Sequence, residues 1–340
     1  MLTNQTPLPA TVQPHRDQHG KAHLLVIAKG SWRLSNGRLA PAEQQVGIHR
    51  QPLRLRLGDL ELEPAQTMAL RTRLDEDIVW VNHDVSPPKP AFDVLVAGYV
   101  TAPPGHPHLF IDAGLRIGAR SASMRAFAPR IWEKTWLGYK ARALAPAVRR
   151  VPISYALADW DAGFALGAPG RQEDAEPARL PWIEAPDSQC QHDRHARVPA
   201  GLGYWPEAAA HRQCHVGTFG KARGSAHSAD LPGDFNTRFY NEAHPSLQLP
   251  DVPAAGTPIR LVHLASRAII DCQFPALALA VQGRTAGGDT RPLMALRPDT
   301  LIIEPDHDRL SVVWRALLPD GVQGGALRSL HLFKTGSPMP

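Results

Sequence analysis

The sequence predicts a mainly β protein, an antiparallel sandwich or paired β-lobes with a long loop-rich middle segment and little helix. Three observations carry that expectation. Short apolar or alternating runs recur about every ten residues and end at Gly, Pro or Asn. Proline occupies 33 and glycine 27 of the 340 positions, a density that argues against long helices. Hydrophobic residues make up 43% of the chain and charged residues 20%, enough apolar material for one large core or two smaller ones packed together.

In chain order, His23 to Leu34 reads as a strand running into Ser35-Asn36-Gly37, where Asn and Gly supply the positive φ of a primed hairpin turn, and the partner strand begins at Arg38. Asp75, Glu76 and Asp77 form a solvated turn before a strand from Ile78 to Val81. Asp93 to Val100 alternates, with Val94, Val96 and Val100 on one face. Leu109 to Ile117 and Ser121 to Phe127 make a hairpin around Gly118-Ala119. Periodicity is lost from Asp159 to Pro250, apart from a short helix expected over Pro206 to Gln213 with proline in its first position. It returns near Thr257, where Ile259, Leu261 and His263 oppose Arg260, Val262 and Leu264. Further on, Leu310, Val312, Trp314 and Ala316 alternate with Ser311, Val313 and Arg315, and Arg328 to Lys334 makes a final strand. The expected division is therefore a β-rich region over 1–158, an irregular Pro/Gly/His-rich segment over 159–250, and a β-rich region over 251–340 packed with the first.

Composition narrows the function classes. The longest apolar runs are far shorter than the ~18–20 residues that span a bilayer, so no membrane partner is expected. Met1 to His19 lacks the features of a secretory signal, and three cysteines do not make a disulfide scaffold, so a cytoplasmic location is expected. The chain has no glycine-rich phosphate loop between strand and helix and no Gly-x-Ser-x-Gly elbow.

Two groups of residues have the character of a site. Cys190, His192 and His195, followed by Cys214 and His215, offer two thiolates and two or three imidazoles, which suit tetrahedral zinc. A structural zinc on this set stands beside the plainer reading of loop histidines and buried cysteines. The second group lies in a basic stretch. From Arg116 to Arg150 there are nine basic residues and one acid, a local charge of +8 in a chain of net charge +5. Aromatic residues interleave with these cations, and Arg130, Trp132, Lys134, Trp136, Tyr139, Lys140 and Arg142 form the candidate partner-binding set. Aromatic and Arg side chains anchor protein interfaces while outer cations steer an acidic partner. The same pattern is open to a core-plus-surface reading and to a single-stranded nucleic-acid reading, of which nucleic acid is the less favoured.

Several tracts in order resemble one bacterial family. Asn4-Gln5-Thr6-Pro7 precedes a strand ending Lys29-Gly30-Ser31-Trp32. His83-Asp84-Val85 leads through Pro87-Pro88-Lys89-Pro90 into Asp93-Val94-Leu95-Val96. Val151 to Tyr155, Leu180 to Glu184, Gly201 to Gly203 and Leu231 to Asn241 follow. These tracts are similar to the family known as domain of unknown function 2169, whose members are associated with type VI secretion gene clusters as effector adaptors or chaperones. The resemblance implies a non-enzymatic adaptor that binds a secreted effector and helps to load it onto the secretion spike, with no catalytic residues and no cofactor. A metal-assisted hydrolase using the Cys/His cluster, and a glycan- or nucleic-acid-binding β-module, are the alternatives. Within the signature, Lys89 is held extended between two prolines, so it either pairs with Asp84 or Asp93 or meets a partner. Asp234 is placed to cap a short helical turn carrying the core aromatics Phe235, Phe239 and Tyr240.

Overall fold

The structure, a computed structural model, describes residues 2–17, 19–105, 108–154, 158–159, 164–165, 180, 182–186, 200–207, 210–218, 232–285, 287–288, 290, 292–319 and 327–335. Its strands are β1 (Leu2–Asn4), β2 (Ala10–Arg16), β3 (Ala22–Arg33), β4 (Ala40–Pro41), β5 (Leu53–Arg56), β6 (Asp77–Val81), β7 (Phe92–Val96), β8 (Tyr99–Thr101), β9 (Phe110–Ile117), β10 (Arg120–Phe127), β11 (Arg130–Thr135), β12 (Gly138–Ala143), β13 (Arg150–Pro152), β14 (Ala158–Asp159), β15 (Phe164–Ala165), β16 (Ile183–Glu184), β17 (Gln248–Leu249), β18 (Pro258–Val262), β19 (Ile269–Gln273), β20 (Leu279–Thr285), β21 (Met294–Glu304), β22 (Arg309–Pro319) and β23 (Leu327–Lys334). The short helices α1 (Pro64–Ala69) and α2 (Ala210–Gln213) join them. Strand accounts for 47% and helix for 9%, so the fold is mainly β.

Two sheets form most of the body. The larger runs β1-β23-β20-β21-β22-β3-β2, with β4 on β3 and with β7 and β17 continuing from β21. The smaller runs β16-β10-β9-β18-β19. Strands from both ends of the sequence share each sheet: β22 lies along β3 over eleven Cα pairs, from Arg309↔Arg33 to Pro319↔His23, and β18 lies on β9. The main core fills the space between the sheets, where Val26, Ala28, Leu301, Ile303, Val312 and Trp314 face Ile111, Leu115, Ile117, Met124, Ile259 and Ile270.

Local chemistry explains several element ends. Asn4 Oδ1 accepts from the Thr6 N–H and hydroxyl, and Thr6 Oγ1 accepts from Leu8 N–H, so Asn4-Gln5-Thr6-Pro7 is a side-chain-built turn between β1 and β2. Gly37 has φ +82 and lets β3 return as β4. The same turn blocks the edge of β19, because Gly37 N donates to Asp271 O and Asn36 Oδ1 accepts from Asp271 N. The single strand expected over Asp93 to Val100 is two strands. At Gly98 a Cβ would lie 2.8 Å from Asp306 Oδ2, and there the chain leaves β7 for β8, which pairs with β13. The strand expected to carry His263 stops at Val262, because His263 turns to φ +53 and its ring bonds Asp112 O. Of the helix expected over Pro206 to Gln213, Ala210–Gln213 is helical, whereas Pro206 and Glu207 are not. Asp234 does not cap the turn that follows it. Its carboxylate accepts from Thr218 N–H and hydroxyl, and Asn236 caps Thr237–Tyr240 instead.

The outer face of the large sheet is also covered. By strand alternation Leu25, Ile27, Lys29 and Ser31 of β3 lie beside Ser311, Val313 and Arg315 of β22 on this face. All seven side chains are buried. Val81 and Ala97 pack on the apolar part of this face.

Candidate docking site

The polar part of that covered face holds a set of buried ions. Lys29 Nζ is 2.9 Å from Asp84 Oδ2, which also accepts from His49 N–H at 2.7 Å. Lys89 Nζ is 2.9 Å from Asp93 Oδ2 and 3.4 Å from Glu242 Oε2, and its N–H donates to Asp299 Oδ2. Arg315 pairs with Asp299 and donates from Nε to Asp84 O at 3.0 Å. Asn241 Nδ2 donates to Asp93 Oδ1, and Asn82 Nδ2 donates to Glu242 Oε1. Burial pushes the Glu242 carboxyl up, but Lys89, Arg212, the Asn82 amide and Arg315 outweigh it and hold it below the usual carboxylate range. A cavity of about 10 Å³, lined by Asn82, Asp84, Lys89, Glu242, Thr300 and Arg315 among others, has room for about one water.

Lys89 therefore takes the Asp93 pairing open to it in the sequence, while Asp84 goes to Lys29. The most specific tract of the resemblance, from Asp84 through Lys89 to Asp93, ties the segment before β7, the Asn241-Glu242 connector and strands β3, β21 and β22 into one buried network. Every cation in it has a carboxylate partner, which makes the network a fastening between segments.

The exposed candidate lies elsewhere. β11 and β12 form a separate two-stranded ribbon, paired from Arg130↔Ala143 to Thr135↔Gly138. Gly138, at φ +128, and a hydrogen bond from Thr135 Oγ1 to Gly138 O close the two-residue tip Trp136-Leu137. Turn tips favour Gly, Asn and Asp, yet this one carries Trp136 at 91% and Leu137 at 78% exposure. At the foot of the ribbon Leu109, Phe110 and Leu144 are also exposed.

The seven residues of the partner-binding set do not share one surface. Trp136, Lys134, Lys140 and Arg142 are exposed. Arg130 and Trp132 are buried, which removes them from an outer docking face. Arg130 pairs with Glu184 and lies 3.4 Å from the centroid of the Phe127 ring. Tyr139 stands opposite Lys134 in the register. The local charge is also smaller than the +8 of the sequence count, because carboxylates from elsewhere in the chain meet it. Arg125 pairs with Asp112, Arg130 with Glu184, and Arg150 with Glu61 and Asp306, while Arg142 pairs with Glu133, the one acid already in that count. Among the described residues Lys134 and Lys140 have no ion-pair partner. Leu137, Leu144, Leu109 and Phe110 were missing from the candidate set. The available signal was an apolar pair directly before Gly138, at the point where the ribbon turns.

Of the metal set, Cys190, His192 and His195 lie outside the described residues. Cys214 is exposed beside α2, with its thiol donating to His211 O at 3.2 Å, and His215 follows it. Among the described residues no group of three or more His, Cys, Asp or Glu is arranged to hold a metal ion. Also among them, no helix is long and apolar enough to cross a membrane.

No curated protein and no solved structure matches the chain. Residues 19–315 match the family described as "Uncharacterized protein conserved in bacteria (DUF2169)", and the chain belongs to that family.

Proposed function

We propose that the protein is a cytoplasmic, non-enzymatic adaptor that docks a type VI secretion effector through the β11–β12 ribbon and helps to load it onto the secretion spike. The observation that carries the docking reading is the exposed Trp136-Leu137 pair at the ribbon tip, flanked by the cations Lys134 and Lys140. Large apolar side chains held out on a narrow ribbon gain by entering a pocket on a partner, and the surrounding cations raise the encounter rate with an acidic surface. The effector and the spike come from the family resemblance.

The test is co-purification with effector proteins encoded beside the gene. The unaltered chain is expected to retain such an effector, and Trp136→Ala with Leu137→Ser to lose it while staying folded. Equal recovery with and without the tip side chains overturns docking through the ribbon.

A further inference from the structure

We infer that the outer edge of β12 takes an extended acidic segment of the partner as a third strand, an inference that rests on reading the ribbon as the docking element. Among the described residues β12 pairs with β11 alone, so the backbone groups along its other edge have no strand partner. Such an edge is a ready template for an added strand. A two-stranded ribbon is marginal by itself, and a third strand adds backbone hydrogen bonds and side-chain contacts.

Side-chain placement gives the chemistry of the incoming segment. Lys140 and Arg142 alternate onto one face of β12, with Ala141 and Ala143 on the other. Glu133 stands opposite Lys140 in the register but pairs with Arg142 at 3.3 Å, so among the described residues Lys140 is left without an ion-pair partner. A strand laid along β12 supplies the missing negative charge when its acidic side chains lie on the Lys140 and Arg142 face. The ends of the edge are apolar: Leu137 precedes Gly138 at the tip, and Leu144, 42% exposed, follows Ala143 at the foot. The fitting segment is therefore about seven residues long, with carboxylates at alternate inner positions and apolar residues at both ends.

The same cations select against a second copy of this chain. An antiparallel pairing centred on Ala141 sets Lys140 of one copy against Arg142 of the other, and like charges directly opposite destabilise a ladder.

The probe is the end-blocked peptide Leu-Thr-Glu-Thr-Glu-Thr-Leu, mixed with the full chain and followed by amide hydrogen exchange. Expected is at least about tenfold slower exchange across Gly138–Ala143, with binding that weakens as salt rises. Two N-methylated versions, blocking one or the other alternating set of peptide amides, separate strand addition from side-chain contact. One set is expected to weaken binding by at least about tenfold and the other far less, because alternate amides face β12. Equal binding of both methylated peptides, binding without slowed exchange, or no binding at about millimolar peptide each overturns the inference. If effector retention still depends on Trp136 and Leu137 in that case, the ribbon remains the docking element and the strand addition alone falls. Effector retention that ignores those two residues instead removes the docking reading, whatever the peptide does.

Discussion

Lys29 Nζ lies 2.9 Å from Asp84 Oδ2, and neither side chain is more than 3% exposed. The pair bridges β3 to the segment before β7, two stretches of chain 55 residues apart. Removing one partner leaves an uncompensated buried charge, which costs about 3–5 kcal/mol, whereas replacing both partners often costs far less. Asp84→Ala is thus expected to lose about 3–5 kcal/mol in urea unfolding or to fail to fold. Lys29→Met with Asp84→Asn should be more stable than Asp84→Ala. A cost below about 0.5 kcal/mol for Asp84→Ala would show that the pair does not fasten the segment.

Residues of this kind mark where the sequence was legible and where it was not. The β9–β10 hairpin was readable because Gly118 sits between two alternating runs, and it takes φ +56 there. The polar residues Ser311 and Arg315 of β22 alternate with apolar neighbours, which in sequence resembles a strand with one solvated face. Both are buried, because irregular segments cover that face and bring Asp84 to it, while Asp299 meets Arg315 from the neighbouring strand β21. Those covering segments have no period, so pattern reading cannot place them. The parallel pairing of β7 with β21, Asp93↔Thr300, joins positions far apart in sequence, and no turn signal announces it. The site was partly legible for the same reasons. Aromatic and basic residues picked out the ribbon, but strand alternation turned Trp132 inward, and the carboxylates of Glu61, Glu184 and Asp306 that meet Arg150 and Arg130 come from distant segments.

His211 stands edge-on to Trp205 with ring centroids 4.5 Å apart. Burial, with Arg212, His244 and His215 nearby, lowers its pKa from 6.5 to about 4, against a smaller opposing hydrogen bond with the Ala243 backbone. The unfolded chain therefore takes up this proton between about pH 6.5 and 4 while the folded chain resists it. Stability is fully present above about pH 6.5 and is lost as pH falls toward 4. His15, His49, His215 and His244 shift in the same direction through burial. Urea midpoints compared at about pH 7 and pH 5 should fall for the unaltered chain, and fall less for His211→Gln. An equal fall in both would assign the acid lability to the other histidines.

Trp132 and Trp136 stand four positions apart in the same ribbon, at 4% and 91% exposure. Burial decides what each ring does for the fold. Truncating a buried aromatic to Ala removes its contacts and leaves a cavity, so Trp132→Ala should cost about 3–5 kcal/mol. Trp136 leaves almost nothing behind when truncated, and Trp136→Ala should change stability by less than about 0.5 kcal/mol. The reversals Lys134→Glu and Lys140→Glu belong with Trp136, since both cations are exposed and lack an ion-pair partner among the described residues. Stability should hardly change in the double reversal, whereas association with an acidic partner should slow at low salt and lose most of its salt dependence. Arg130 behaves oppositely. Its pairing with Glu184 is buried, so Arg130→Glu sets two carboxylates together away from water and should unfold the foot of the ribbon. Stability by urea and association by stopped flow separate the two classes. If Trp136→Ala destabilises as much as Trp132→Ala, the tip ring is part of the core, and the ribbon has no free apolar tip with which to dock a partner.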